Sequence, residues 1–277
     1  MFENPRYITL NDKMKMPTHG FGTWKIADID APLVVSHALS AGYRLIDTAA
    51  IYENENGVGT AILESSVSRS EIFLASKVWT NMQGYDSTLR AMDLSLKKLK
   101  TDYLDLYHIH WPAPYQDKYV STWKALSRLH KEGLARSIGV CNFTIEYLQR
   151  LIDETGIVPS VNQIELHPHF QQRQLREFHL KHGIVTESWS PLARTEIFND
   201  ALILKLSEKY KKTPAQVILR WHFDNGIVAI PKSSHTGRIL ENLDIFDFTL
   251  SQEDLDDVLK IDNVNGRTGP DPVKATF

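Results

Sequence analysis

The most informative absences in this sequence are those of cysteine, of long apolar runs and of a dominant charge. Cys141 is the only cysteine among 277 residues, which excludes an internal disulfide and favours a reducing compartment. No apolar run approaches the roughly 20 residues of a membrane-spanning helix, and the N-terminus, MFENPRYITL, lacks the basic and apolar segments of a signal peptide. A net charge of −3 gives no reason to expect nucleic acid or an anionic membrane as a partner. These features predict a soluble cytoplasmic protein.

Repeats, low-complexity segments and long linkers are also absent, so residues 1–277 are expected to form a single domain. Eight short apolar runs instead alternate with stretches of helical periodicity. The strand-like runs are HGFGTW (19–24), YRLID (43–47), IFLASK (72–77), YLDLYHIH (103–110), RSIGV (136–140), SVNQI (160–164), GIVTES (183–188) and GIVAIPK (226–232).

Helix signals stand between these runs. Pro32 and Gly42 suit the first turn and the end of one helix, Thr213-Pro214 begins another, and Ser251 precedes a third with acids in its first turn. Such alternation predicts parallel strands with right-handed crossovers, either in an open doubly wound sheet or in a closed barrel. The first strand is not followed by G-x-G-x-x-G, which favours an α/β protein with a (β/α)8 TIM barrel. The segment RYITLNDKMKMP (6–17) predicts a β-hairpin that closes the barrel floor.

Four polar residues follow neighbouring strands of this expected barrel, at the end where barrel enzymes place their chemistry. Asp47 paired with Lys77 keeps a buried lysine charged, and that charge is expected to lower the pKa of Tyr52 from about 10. Tyr52 is then a proton donor to an alkoxide that forms at a carbonyl oxygen, with His110 either orienting the carbonyl or tuning Tyr52. Hydride reduction of a carbonyl is the matching reaction, without a metal.

The segment after the last strand, IPKSSHTGRILENL, points to a nucleotide. Its cations and hydroxyls, placed at a helix start, predict a phosphate site. Lys232 and Arg238 favour a 2′-phosphate, and therefore NADPH over NADH. Trp189 is suited to stack on the nicotinamide, and the amides of Asn142 and Gln163 to bond its carboxamide. Ser233 and Ser234 supply the hydroxyls of the expected phosphate site, and Glu241 and Asn242 follow at the start of a helix.

The motifs GYRLIDTAAIYENENGVG, SKVWT, DLYHIHWP, IGVCNF, VNQIELHP, SWSPL and IPKSSHTGRILENL occur in this order. Over nearly its whole length the chain thereby resembles the aldo-keto reductases, and most of all the microbial group around 2,5-diketo-gluconate reductase, prostaglandin F synthase and morphine dehydrogenase. The resemblance implies an NADPH-dependent carbonyl reductase with Tyr52 as general acid in a tetrad with Asp47, Lys77 and His110. It implies a monomer whose partner is a small carbonyl substrate.

The resemblance also implies positions for both ligands. Cofactor contacts fall on Thr23, Asp47, Asn142, Gln163, Trp189, Ser190, Pro191, Leu192, Lys232, Ser233, Ser234, Arg238, Glu241 and Asn242. Substrate contacts fall on Trp24, Trp79, His110 and Trp111. The short loop after Leu192 and the short C-terminus are expected to leave the substrate cleft open to a broad range of aldehydes and ketones. Cys141 stands where the family usually has serine, which suggests that its thiol is open to oxidation when the cofactor is absent.

Two alternatives remain at this point. The pair His108 and His110 also occurs in metal-dependent barrel hydrolases, although those proteins carry it on the first strand and have an aspartate on strand eight. His167 and His169 bracket a proline and predict a turn.

The second alternative is a non-catalytic barrel that binds NADPH as a sensor or as a partner-binding module; the intact tetrad argues against it.

Overall fold

The chain folds from a short hairpin into a closed barrel. The structure is a computed structural model that describes residues 7–277; Arg6, where the expected hairpin begins, and most of the stretch examined for a signal peptide lie outside the described residues. Strands β1 (Tyr7–Thr9) and β2 (Lys15–Pro17) pair antiparallel. Their turn contains Asp12, whose carboxylate accepts the Met14 amide at 3.0 Å. The predicted hairpin is confirmed.

Eight parallel strands follow, and each contains part of one predicted run. They are β3 (Gly20–Gly22), β4 (Leu45–Asp47), β5 (Phe73–Val78), β6 (Leu104–Ile109), β7 (Ala135–Cys141), β8 (Val161–Glu165), β9 (Val185–Trp189) and β10 (Val228–Ala229). Consecutive strands are neighbours from β3 to β10. A parallel bridge between His19 and Ala229, and a 3.1 Å bond from the Gly22 amide to Pro231 O, join the last strand to the first. The TIM barrel is confirmed.

In the described part of the chain, residues 7–277, ten α-helices surround or flank the strands. They are α1 (Ala31–Ala41), α2 (Glu55–Leu63), α3 (Tyr85–Leu99), α4 (Tyr119–Lys131), α5 (Ile145–Thr155), α6 (Arg173–His182), α7 (Ala201–Tyr210), α8 (Pro214–Asp224), α9 (Thr236–Leu243) and α10 (Gln252–Lys260). The predicted caps are present. Thr213 and Gln216 form a capping box at α8, and the Ser251 hydroxyl accepts the Asp254 amide at α10. Within residues 7–277, no helix is long and apolar enough to cross a membrane.

Apolar side chains fill the barrel interior at the end closed by the hairpin. A buried apolar cluster contains the first residues of several strands, among them Leu45, Phe73 and Val161, and the hairpin adds Leu10 and Met16 to it. Met16 is fully buried. The hairpin therefore closes the barrel floor as predicted, and the polar side chains at the opposite strand ends are left to form the site.

Candidate active site

The ends of β4 and β5 hold a buried ion pair. Lys77 Nζ donates to Asp47 Oδ1 at 2.6 Å, to Asp47 Oδ2 at 2.8 Å and to Thr48 O at 2.9 Å. Burial raises the pKa of Asp47 against the opposing effect of Lys77, and the Asp47 charge raises the pKa of Lys77 despite burial. The contact through both carboxylate oxygens is that of an ammonium with a carboxylate. This geometry supports the expectation that Asp47 keeps Lys77 charged, which stays a prediction.

Tyr52 ends a 3-10 turn just beyond β4 and lies over this pair. Its ring centroid is 5.2 Å from Lys77 Nζ, and its ring meets the edge of the His110 ring at a centroid distance of 5.6 Å. Burial raises the pKa of Tyr52 above its usual 10, while the Lys77 charge acts to lower it. The expected net lowering is therefore wrong, because desolvation of the phenolate outweighs the cation. Tyr52 is a protonated phenol at neutral pH, which is the form that a proton donor needs.

His110 follows β6 and completes the tetrad. Burial and the nearby Lys77 charge lower the pKa of His110 well below 6.5, so its imidazole is neutral. Its Nδ1 is buried without a hydrogen-bond partner among residues 7–277. The structure thus brings Asp47, Tyr52, Lys77 and His110 together as the sequence predicted.

Two amides and an indole lie beside the tetrad, at the ends of β7, β8 and β9. Asn142 has a positive φ of 64°, a conformation that asparagine tolerates better than most residues. Its amide nitrogen donates to His110 O at 3.0 Å and its carbonyl accepts Trp189 Nε1 at 2.8 Å, which fixes the indole ring. Gln163 Nε2 donates to Asp47 Oδ2 at 3.0 Å. The groups expected at the nicotinamide end therefore share one hydrogen-bonded network with the tetrad.

The loop after Trp189 and the end of β3 border this network. Ser190 has a φ of 49°, a strained value for a non-glycine residue. Pro191 is buried and Leu192 is half-buried. The Thr23 hydroxyl donates to Asp47 O at 3.0 Å, so it ties β3 to the strand that carries the ion pair.

The segment after β10 carries cations without partners. Lys232 and Arg238 are exposed, and neither has an ion pair among residues 7–277. Burial and the neighbouring charge of Lys25 lower the pKa of Lys232. The Ser233 hydroxyl is buried and accepts the His235 amide at 3.1 Å, whereas Ser234 is exposed. Uncompensated cations beside a helix N-terminus suit an anion such as a nucleotide phosphate.

Two residues of this segment lie elsewhere than expected. Glu241 and Asn242 were placed at the start of a helix, but α9 begins at Thr236, so both occupy its last turn. Glu241 accepts the Thr213 hydroxyl at 2.6 Å, and Asn242 is buried. That placement was wrong, because the helix starts without a serine or threonine cap and its apolar spacing begins earlier, at Ile239.

Aromatic side chains surround the mouth of the site. Trp79 meets the His110 ring edge-on at a centroid distance of 5.0 Å. Phe277 stacks on Trp79 at 5.5 Å with an interplanar angle of 9°, and meets Trp111 edge-on at 5.0 Å. Trp24 stands apart from this cluster, 44% exposed, under Lys25. The cleft is therefore more enclosed than expected, because Phe277 packs onto two of its walls.

Comparisons with known proteins decide the family. A model of the aldo/keto reductase family matches residues 18–263. A Yersinia pestis protein named methylglyoxal reductase DkgA is 52% identical over 96% of this chain and 95% of its own length. The Escherichia coli K12 protein of the same name is 50% identical over 97% of this chain and 98% of its own. The chain belongs to the aldo-keto reductase family.

Solved structures agree with this assignment. The apo form of Gox0644 superposes with a TM-score of 0.96 at 49% identity, over 99% of this reductase and 100% of that chain. A mutant of Gox0644 solved in complex with NADPH gives the same values. This aldo-keto reductase is an NADPH-dependent oxidoreductase that reduces carbonyl groups, as the sequence predicted, and its resemblance to the 2,5-diketo-gluconate reductase group is confirmed. The metal-hydrolase alternative is wrong.

The two histidine motifs of the reductase hold residues with different roles: His110 belongs to the tetrad, His108 packs inside the barrel, and His169 pairs with Asp200 at 2.8 Å. The buried His108 ring occupies the space beside Gly139, where an added Cβ would lie 2.6 Å from its Cδ2. Pro168 and His169 form the expected turn, closed by the bridge between His167 and Phe170. Among residues 7–277, no group of three or more histidine, cysteine or acidic side chains is placed to hold a metal.

Cys141 is fully buried at the end of β7, and burial raises the pKa of its thiol well above the usual value. Peroxide attacks the thiolate, and access is also needed. Both features argue against the suggested oxidation of Cys141.

Sequence reasoning missed two residues of the site, Lys25 and Phe277. Lys25 follows Trp24 directly, so a second cation beside the expected Lys232 was a signal in the sequence itself. Phe277 reaches Trp79 and Trp111 from more than 160 residues away along the chain, and no local pattern indicates such a contact.

Proposed function

We propose that this reductase converts small 2-oxoaldehydes of the methylglyoxal type to hydroxycarbonyl products, with Tyr52 as the general acid. The observation that carries the proposal is the position of Lys77 Nζ, bonded to both Asp47 oxygens and lying beneath the Tyr52 ring. The curated relatives named methylglyoxal reductase support the substrate class. An aromatic mouth narrowed by Phe277 suits a small carbonyl compound better than a bulky one.

The residues of the tetrad divide the proton chemistry. NADPH bound at this rim supplies the hydride. The neutral His110 imidazole, as an N–H donor, orients the substrate carbonyl oxygen, and the protonated Tyr52 hydroxyl delivers a proton to that oxygen as the alkoxide develops. The Lys77 ammonium stabilises the tyrosinate that remains, and Asp47 keeps that ammonium charged.

The remaining side chains fit the cofactor. Trp189, held by Asn142, offers an aromatic face, and the carbonyl of Gln163 offers an acceptor for the carboxamide. Ser190, Pro191, Leu192 and Thr23 border the pyrophosphate position, while Lys232, Ser233, Ser234 and Arg238 surround the 2′-phosphate. Glu241 and Asn242, in the last turn of α9, are the residues we propose for the adenine. Trp79, Trp111 and Trp24 contact the substrate.

The same proposal includes the state of the protein. We place it in the cytoplasm, because its only cysteine is a free, buried thiol. The barrel of eight strands supports one domain, and the resemblance to the aldo-keto reductases favours a monomer. Light scattering during gel filtration measures the mass directly, and a mass of twice 31.7 kDa would contradict the monomer.

The first test is NADPH oxidation with methylglyoxal, phenylglyoxal, a diketone, an aromatic aldehyde and a sugar-derived ketone. Tyr52→Phe removes the proton donor, so turnover is expected to fall at least a hundredfold on every active substrate. Quenching of tryptophan fluorescence is expected to show nearly unchanged NADPH binding. Tyr103→Phe, which removes a hydroxyl away from the site, is the matched control. Retention of most of kcat in Tyr52→Phe would refute the assignment, and NADPH binding without turnover on any substrate would favour the sensor alternative.

A further inference from the structure

A second buried carboxyl lies behind the tetrad. Glu187, on β9, has a side chain with no exposed surface. Its Oε2 accepts Gln163 Nε2 at 2.8 Å, and the same amide nitrogen donates to Asp47 Oδ2 at 3.0 Å. One amide group therefore bridges two buried acids. Glu187 Oε1 has no hydrogen-bond partner among residues 7–277.

The charges around Glu187 do not balance if both acids are ionised. The groups that face it are Asp47 on β4, Lys77 on β5, His108 on β6, Cys141 on β7 and Gln163 on β8. Lys77 is the one cation of this set, because burial holds the pKa of His108 far below 6.5. Lys77 is already committed to Asp47. Burial and the Asp47 charge raise the pKa of Glu187 to about 8.

The orientation of the Gln163 amide follows from the same contacts. Its two N–H groups are taken by Asp47 and Glu187, so its carbonyl oxygen is the one atom left for a ligand. With the Glu187 proton on Oε1, turning the amide over would place its oxygen against Glu187 Oε2 and Asp47 Oδ2, which are both acceptors. With one acid removed, one N–H group loses its acceptor and the preference for this orientation weakens.

We propose that Glu187 is a positioning residue, a neutral carboxylic acid that holds the Gln163 amide with its carbonyl turned toward the nicotinamide carboxamide. This inference rests on the proposed function, which assigns Gln163 to the carboxamide. Glu187 itself touches neither the cofactor nor the substrate. Its neutral form also keeps a second negative charge away from Asp47 and Lys77.

The test compares Glu187→Gln, which keeps a neutral acceptor, with Glu187→Leu, which removes it. Glu187→Gln is expected to bind NADPH within about threefold of the parent, whereas Glu187→Leu is expected to bind it about tenfold more weakly. The loss of NADPH affinity in Glu187→Leu is not expected to be accompanied by a matching fall in melting temperature, because the substitution also removes an unpartnered buried oxygen. Glu55→Gln is the matched control, since Glu55 is another buried acid that accepts a hydroxyl, that of Ser76 at 2.7 Å.

Gln163→Leu separates this inference from the proposed function. Unchanged NADPH affinity in Gln163→Leu would overturn the carboxamide assignment, and the positioning role with it. Weaker binding in Gln163→Leu combined with parental binding in Glu187→Leu would overturn the positioning role alone. If Glu187 acts through Gln163, the double variant is expected to bind NADPH no more weakly than Gln163→Leu.

A pH series tests the protonation state. Ionised Glu187 adds a negative charge near the nicotinamide site, which favours the positively charged oxidised ring over the neutral reduced ring. The ratio of the NADPH Kd to the NADP⁺ Kd is expected to rise between pH 7 and pH 9 in the parent and to stay flat in Glu187→Gln. The same pH dependence in both proteins would overturn the neutral carboxyl.

Discussion

At the scale of single residues, the site depends on one cation with no access to water. Lys77 is fully buried, and its ammonium donates to Asp47 and to the backbone of Thr48. Removing one member of a buried pair leaves the other charge uncompensated, which typically costs about 3–5 kcal/mol, whereas replacing both members is often nearly neutral. The pair is therefore expected to contribute to activity and to stability in different ways, which a pair of variants separates.

Asp47→Asn is expected to lower the free energy of unfolding by about 3–5 kcal/mol, measured by urea denaturation. Adding Lys77→Met removes the stranded charge and is expected to restore most of that loss. Turnover is expected to be lost in the double variant, which has no cation beneath Tyr52, and to fall strongly in Asp47→Asn, whose ammonium is no longer held by a carboxylate. A single variant as stable as the parent would show that Lys77 sheds its proton at little cost.

The same residues show where sequence reasoning stops. The tetrad was predictable because its members end neighbouring strands, and parallel strands bring their ends together. The net pKa of Tyr52 was not predictable, since its direction depends on how completely the phenol is buried. Glu187 was visible as a strand residue, but its contacts join β9 to β8 and β4, 24 and 140 positions away in the chain. Contacts between residues so far apart in the chain leave no local pattern in the sequence from which they could be predicted.

At the scale of elements, the segment before α9 forms the proposed anion site, and the start of α9 is the helix boundary that the sequence predicted wrongly. The cap residues Thr213 and Ser251 indicate in the sequence where α8 and α10 begin. In contrast, α9 follows His235, whose side chain makes no capping hydrogen bond. Its position had to come from the structure. With the helix starting at Thr236, Arg238 lies in its first turn, where a cation repels the helix dipole unless an anion is bound.

Arg238→Ala is therefore expected to weaken NADPH binding about ten- to a hundredfold, from the loss of a charge-assisted contact of roughly 1.5–3 kcal/mol. NADH lacks the 2′-phosphate, so its Kd is expected to change little. Fluorescence titration with both nucleotides measures the difference, and Arg128→Ala, in an exposed ion pair on α4, is the control. Equal losses for both nucleotides would remove Arg238 from the 2′-phosphate site.

At the scale of the whole molecule, the barrel separates stability from chemistry. The alternation of strand-like and helix-like segments predicted the barrel, and the hairpin pattern of residues 6–17 predicted the closed floor. Both signals are local in sequence. Closure itself needed the structure, because the contacts of His19 with Ala229 and of Gly22 with Pro231 span the chain. The contacts of Phe277 with Trp79 and Trp111 at the mouth of the site also span the chain, so they too needed the structure. The apolar cluster runs from the barrel floor up to Trp189, and no tetrad residue belongs to it, so damage at the floor is expected to leave the tetrad intact.

Met16→Ala tests that separation. Met16 is fully buried in the cluster at the floor, so the cavity left by its truncation is expected to cost about 2–5 kcal/mol of unfolding free energy. Met14 is only half-buried against the same cluster, and Met14→Ala is expected to cost clearly less. Both variants are expected to keep the parental kcat and NADPH Kd at 25 °C, because no tetrad residue belongs to the cluster. A fall in kcat that tracks the loss of stability would show instead that packing at the floor is transmitted through the strands to Lys77 and Tyr52.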